Sequence, residues 1–232
     1  MIDLTYSEDQ IICVNNFDDF INTSFYGNKN VICFNRELKG DFSEIVSKIE
    51  LVGNMMEVSE KQLNKLDLSP KGELARKTLL NDLKLLKELG ALPTLNIIQN
   101  YDRDDAYPDF PTDVYSYHVD RSPIPVETIL CTYYGAASDV LANSQGIQKI
   151  KIPEIRDKLK GLYSGTEEGF DSFLVEYFFD LHYQAMPYAI PTNLSNGNIC
   201  RIAVDHPNSD VPPCLHRAPF EKNGIKRLLL IC

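Results

Sequence analysis

The chain has 232 residues, 44% of them hydrophobic and 24% charged, with a net charge of −10. That length fits one large domain or a core with an extension, and the composition excludes a disordered or fibrous chain. No apolar run approaches the roughly 18 residues that span a bilayer, and a negative field disfavours nucleic acid and anionic membrane surfaces as partners. A small-molecule or peptide partner is the remaining expectation. The opening MIDLTYSEDQ has no basic stretch ahead of an apolar one, so neither an export signal nor a location outside the cytoplasm is expected. Six cysteines without a CxxC pair then read as buried, reduced thiols.

Asn30–Asn35 reads as a short strand and Phe42–Leu51 as a helix. Ser69 and Pro70 have the chemistry of a helix start, as N-cap and first-turn residue. Leu74, Leu79, Leu80, Leu83, Leu86 and Leu89 then recur at helical spacing until Gly90 ends the run. Nothing on this helix suggests chemistry. Pro93–Tyr101 reads as a strand and Tyr101–Thr112 as a loop. From residue 113 the pattern changes to short apolar runs punctuated by Pro, Gly and Asn: Val114–Val119, Thr128–Tyr134, Asn198–Val204, Cys214–Arg217 and Ile225–Cys232. That is the pattern of a sandwich or jelly roll. A helical insert, about 153–187, interrupts it, with a short helix over Pro153–Lys160. A second helix follows Thr166, whose apolar stripe runs from Phe170 to Leu181 and places His182 at its margin as a structural residue. The predicted organisation is α+β: a mixed region over 1–112 packing on a β core over 113–232.

The chemistry concentrates in two histidine phrases. In Tyr117-His118-Val119-Asp120, residues two apart on a strand share a face, so an imidazole and a carboxylate project side by side about 7 Å apart at the backbone. Cys214-Leu215-His216-Arg217 offers a second imidazole from another strand. Two histidines and one carboxylate form the facial triad of non-haem Fe(II) oxygenases, which leaves coordination positions open. His206 and Arg217 repeat the spacing of His216 and Arg227, but Asp205-His206-Pro207-Asn208 reads as a turn, which favours His216. Alternatives are a zinc site on the same scaffold, with Cys214 as a further ligand, and a non-catalytic binding module whose His and Asp are structural.

The pattern His118-x-Asp120, then His216, then Arg227 eleven positions on along a terminal apolar strand, resembles the Fe(II)/2-oxoglutarate-dependent dioxygenases. Gly197-Asn198 ahead of a strand also fits that family. The phrases HVDRSPIP, CTYYG and CLHRAP resemble a bacterial group that brings no activity with it. The resemblance covers about Val114–Cys232. It implies a double-stranded β-helix, or jelly roll, with Fe(II) held by His118, Asp120 and His216. It implies that Arg227 meets the distal carboxylate of 2-oxoglutarate, where a guanidinium fork fits. Thr132, Tyr133 and Tyr134, on the neighbouring strand, are the further candidates for holding the co-substrate. The implied reaction is hydroxylation of an organic substrate.

Overall fold

The structure, a computed structural model, describes residues 10–104, 107, 110–220 and 224–232. The opening segment read for an export signal lies outside the described residues up to Glu8-Asp9. In chain order the elements are β1 (Ile11–Val14), α1 (Phe17–Asn22), β2 (Val31–Phe34), α2 (Phe42–Lys48), β3 (Met55–Glu57), α3 (Glu60–Lys65), α4 (Pro70–Glu88), β4 (Thr94–Ile98), β5 (Tyr117–His118) and β6 (Glu127–Tyr134). They continue with β7 (Asp139–Leu141), β8 (Gly146–Gln148), α5 (Pro153–Leu162), α6 (Phe170–Glu176), β9 (His182–Ala185), β10 (Thr192–Asn193), β11 (Ile199–Ala203), β12 (Leu215–Arg217) and β13 (Arg227–Ile231).

The strands form two large, mostly antiparallel sheets. One has the order β1-β2-β11-β6-β13-β4-β3, the other β10-β7-β12-β5-β9-β8. Among the described strands only β1 and β2 run parallel. Strands from both sides of residue 112 share the seven-stranded sheet. Residues along β6 and β13 alternate between its two faces, as the pleat requires. Leu130 and Leu229 join Val140 and Cys214 of the second sheet in the core between the sheets. Cys131, Tyr133, Leu228 and Leu230 face the other way, into a layer with Phe20, Ile45, Leu79 and Leu86 from α1, α2 and α4. The insert forms a separate cluster around Leu159, Phe170, Leu174 and Phe179.

Helix α4 starts as its sequence dictates. The Ser69 side chain accepts from the Gly72 amide, Pro70 takes the first turn, and Gly90 follows the end with φ +82°. Leu79, Leu83 and Leu86 are buried, whereas Leu74 and Leu89 are exposed. The buried face also carries Asp82, which is 0% exposed. It accepts two hydrogen bonds from Arg36, at 2.7 and 2.5 Å, and one from the Tyr133 hydroxyl at 2.7 Å. This cluster ties α4 to β6 and to the segment after β2.

Two expectations are corrected. Cys33 and Cys200 form a disulfide, while Cys13, Cys131, Cys214 and Cys232 are free. The pairing of β2 with β11 sets the two directly opposite, a juxtaposition that 167 residues of sequence separation conceal. The apolar stripe from Phe170 to Leu181 is not one helix. α6 stops at Glu176, Phe178 takes φ +60°, a 3-10 turn spans Phe179–Leu181, and the chain then enters β9. A left-handed residue breaks the helical hydrogen-bond ladder, and β9 pairs with β5 instead. No helix among the described residues is long and apolar enough to cross a membrane.

Candidate metal centre

Three strands of the six-stranded sheet carry a row of imidazoles. β12 pairs with β5 so that His216 is opposite His118, and β5 pairs with β9 so that His118 is opposite His182. His216 also pairs with Val140, a residue of the inter-sheet core, so the row faces the space between the sheets. The ring centroids of His118 and His216 are 4.4 Å apart, and those of His118 and His182 are 5.7 Å apart.

Asp120 completes the cluster. Its Oδ1 lies 3.6 Å from His216 Nε2 and 4.0 Å from His118 Nε2. One ligand atom from each of the three residues falls within 4.8 Å of the others. The tautomers follow from the neighbours. His118 Nδ1 lies 2.8 Å from the Ser116 carbonyl and His216 Nδ1 lies 3.2 Å from the Cys214 carbonyl. A carbonyl only accepts, so both Nδ1 atoms carry the proton and both Nε2 lone pairs turn toward Asp120. Asp120 Oδ2 accepts from the Thr128 hydroxyl at 2.5 Å, which fixes the carboxylate and leaves Oδ1 free. Burial, then the neighbouring His216, lowers the His118 pKa to about 4. Burial, then His118 and Lys149, lowers that of His182 to about 3. Two imidazoles whose Nδ1–H groups are held by carbonyls, with one oriented carboxylate, are the donor set a divalent transition metal needs.

The sequence-derived candidates separate into those that join this space and those that do not. His206 sits in the turn after β11 with Nδ1 against the Pro207 carbonyl, away from the cluster. Arg217 pairs with Asp139 and lies over the Tyr117 ring, on the opposite face from His216. Cys214 is fully buried and accepts weakly from Gln10, and no cysteine belongs to the ligand cluster. Arg121 pairs with Asp180 and Asp205, leaving Asp120 to the histidines.

Arg227 is 6% exposed and has no carboxylate partner among the described residues. Its guanidinium donates to the Thr132 hydroxyl at 2.9 and 3.3 Å, to Ser138 at 2.8 Å and to the Tyr101 hydroxyl at 3.4 Å. Burial lowers its pKa. A buried cation held only by hydroxyls retains attraction for an anion. Thr132 pairs with Leu229 and so shares the inter-sheet face with Arg227. Tyr134 lines a cavity of about 380 Å³ with Arg227, Tyr101, Tyr115 and Phe220. Tyr133 is directed away: its ring stacks on Phe42 and its hydroxyl donates to Asp82, on the far side of the sheet. Of the three neighbouring-strand candidates, then, Thr132 and Tyr134 lie with Arg227 and Tyr133 does not.

Sequence reasoning missed Tyr101, Ser138 and Thr128 as supports, and it missed the position of His182. Thr128 carried no signal beyond its place on a predicted strand. His182 is 5% exposed with an unpaired Nδ1, and it lines a groove of about 230 Å³ together with His118 and Asp120. No protein-family model, curated protein sequence or solved structure matches this chain.

Proposed function

We propose that this protein is a non-haem Fe(II)- and 2-oxoglutarate-dependent oxygenase built on a jelly roll. The observation that carries the reading is the convergence of His118, Asp120 and His216, both imidazoles fixed by carbonyls, with an acid-free buried arginine in the same inter-sheet space. Strand connectivity supports the jelly-roll part. Following the chain through β4, β5, β6 and β7, and then β10, β11, β12 and β13, each step but the central one passes from one sheet to the other. An antiparallel ribbon rolled over two sheets gives that alternation.

The donor set fits Fe(II): two neutral imidazoles and one carboxylate on one side of the ion. Bound there, iron supplies the site at which dioxygen is activated. The chain's own residues do the positioning. His118 and His216 offer Nε2 and Asp120 offers Oδ1. Arg227, with Thr132 and Tyr101 beside it, receives the distal carboxylate of the co-substrate. The inter-sheet core around Leu130, Val140 and Leu229 lies behind the site. The balanced reaction consumes substrate R–H, O₂ and 2-oxoglutarate and yields R–OH, succinate and CO₂.

The test is metal content and anaerobic 2-oxoglutarate titration, followed by the charge-transfer absorption of the Fe(II) complex. Wild type should take up Fe(II) and develop the band. His216→Ala should lose the metal, and Arg227→Ala should keep the metal and lose the band. A wild-type protein that forms no band after anaerobic reconstitution would end the co-substrate reading. One that retains Zn²⁺ against Fe(II) and turns over without O₂ would be a hydrolase on this scaffold.

A further inference from the structure

Three cysteines stand in one row across the seven-stranded sheet. β1 pairs with β2 so that Cys13 is opposite Cys33, and β2 pairs with β11 so that Cys33 is opposite Cys200. All three belong to the face between the sheets, Cys33 and Cys200 in its core and Cys13 packed at the margin. Cys33 and Cys200 are bridged, and both are 0% exposed. Cys13 is a free, half-buried thiol, and β1 is the outermost of the described strands on that side.

The bridge is closed to direct attack. β6 flanks Cys200 on its far side, where Leu130 pairs with it, so a reagent from solution meets Cys13 first. The other free cysteines are out of position. Cys131 and Cys232 pack on the helix-covered side of the sheet, and Cys214 is fully buried, which pushes its thiol pKa up. Neighbouring strands lie about 4.8 Å apart, inside the span of about 4.4–6.8 Å between Cα atoms that a disulfide bridges. Thiol–disulfide exchange is attack by a thiolate on one sulfur while the other leaves. The attacker enters opposite the leaving group, and the strand order puts attacker, centre and leaving group on three successive strands.

We propose that Cys13, Cys33 and Cys200 form a thiol–disulfide exchange site, with Cys13 the entry residue for low-molecular-weight thiols. The Cys13 thiolate attacks Cys33 Sγ. The bond to Cys200 breaks, and Cys200 keeps the electron pair and takes up the proton that Cys13 gave. This step moves the bridge to Cys13 and Cys33 without net oxidation. An external thiolate then attacks the Cys13 sulfur and releases Cys33, and a second external thiol frees Cys13. In sum, two external thiols become one disulfide, and Cys33 and Cys200 each gain a hydrogen. The reverse sequence forms the bridge from an external disulfide. The site is independent of the oxygenase reading.

Dithiothreitol is the probe for reduction of the full chain and oxidised glutathione the probe for oxidation. Samples are quenched with acid and alkylated, and peptide mass spectrometry reads the state of each cysteine. Protein isolated without reductant should carry the Cys33–Cys200 bridge. Cys13→Ser should keep the bridge and slow its reduction by about tenfold or more, because a thiol already in place acts at an effective concentration above that of a millimolar reagent. Blocking Cys13 of the folded wild type with N-ethylmaleimide should slow reduction equally. In Cys200→Ser, oxidised glutathione should join Cys13 to Cys33. Should that variant not fold, the blocked wild type still decides. Equal reduction rates with Cys13 present, blocked or replaced would overturn the proposal. So would a glutathione adduct on Cys13 of Cys200→Ser that never passes to Cys33, or a wild type isolated without the bridge.

Discussion

Replacing Arg227 by methionine separates a structural arginine from a ligand-binding one, because the two roles predict opposite balances. In the structure the guanidinium is 6% exposed and is held by four hydrogen bonds to hydroxyls, two of them at 3.3 Å or longer. Bringing such a cation out of water costs several kcal/mol even after relaxation. Hydrogen bonds from a charged donor return about 1.5–3 kcal/mol each, less for the two long ones. The terms nearly cancel. Methionine removes both and matches the length of the stem, so Arg227→Met should shift unfolding free energy by no more than about 2 kcal/mol in either direction. The effect on the co-substrate is one-sided. Truncating one partner of a desolvated charge pair costs about 2–5 kcal/mol, which raises Kd by roughly 30-fold to 4,000-fold. Urea melts give the first quantity, and anaerobic titration of the Fe(II) protein with 2-oxoglutarate gives the second. A variant that loses several kcal/mol of stability while titrating like wild type would mean that Arg227 is a structural pin and that the anion site is elsewhere.

Two further outcomes are expected away from the metal. Asp82→Asn breaks a buried pair and leaves Arg36 without its charge partner, so it should cost about 3–5 kcal/mol; differential scanning calorimetry should show Tm lower by roughly 6–20 °C for a chain of this size. In metal-free protein, stability should depend on the neutral histidines. The folded pKa values of His118, about 4, and His182, about 3, lie below the ordinary histidine value. As pH falls, the unfolded chain therefore takes up protons first. The histidine contribution is whole above about pH 6.5 and is lost between there and about pH 3, so urea midpoints should fall across that window. His182→Gln should flatten the fall, removing about 2–3 kcal/mol of the difference between pH 7 and pH 4.5; superimposable pH profiles for wild type and variant would contradict the burial of an uncharged His182.

What could be read from the sequence is what neighbours within a few positions determine. Ser69, Pro70 and Gly90 bracket α4 because capping is a local exchange of hydrogen bonds. A period of two set His118 and Asp120 side by side, and the two do meet although β5 ends at His118 and Asp120 lies just beyond it. Parity failed for Thr132 and Tyr133 for a physical reason. The seven-stranded sheet is covered on both sides, by helices and by the second sheet, so neither face of β6 is polar and the alternation carries no sign. β7, β8 and β10, of three, three and two residues, are too short to show a period. Nothing local marks Asp82 for burial; its partners, Arg36 and Tyr133, come from far along the chain on either side. His182 shows the same limit most clearly. Its local sequence is helical in pattern, but the free edge of β5 needs a partner strand, and supplying one turns the residue from the margin of a helix into the next imidazole along from His118. Local patterning thus placed His118 and His216 on separate strands, while the pairing of β5 with β12 and β9, a property of the whole fold, decided which histidines meet.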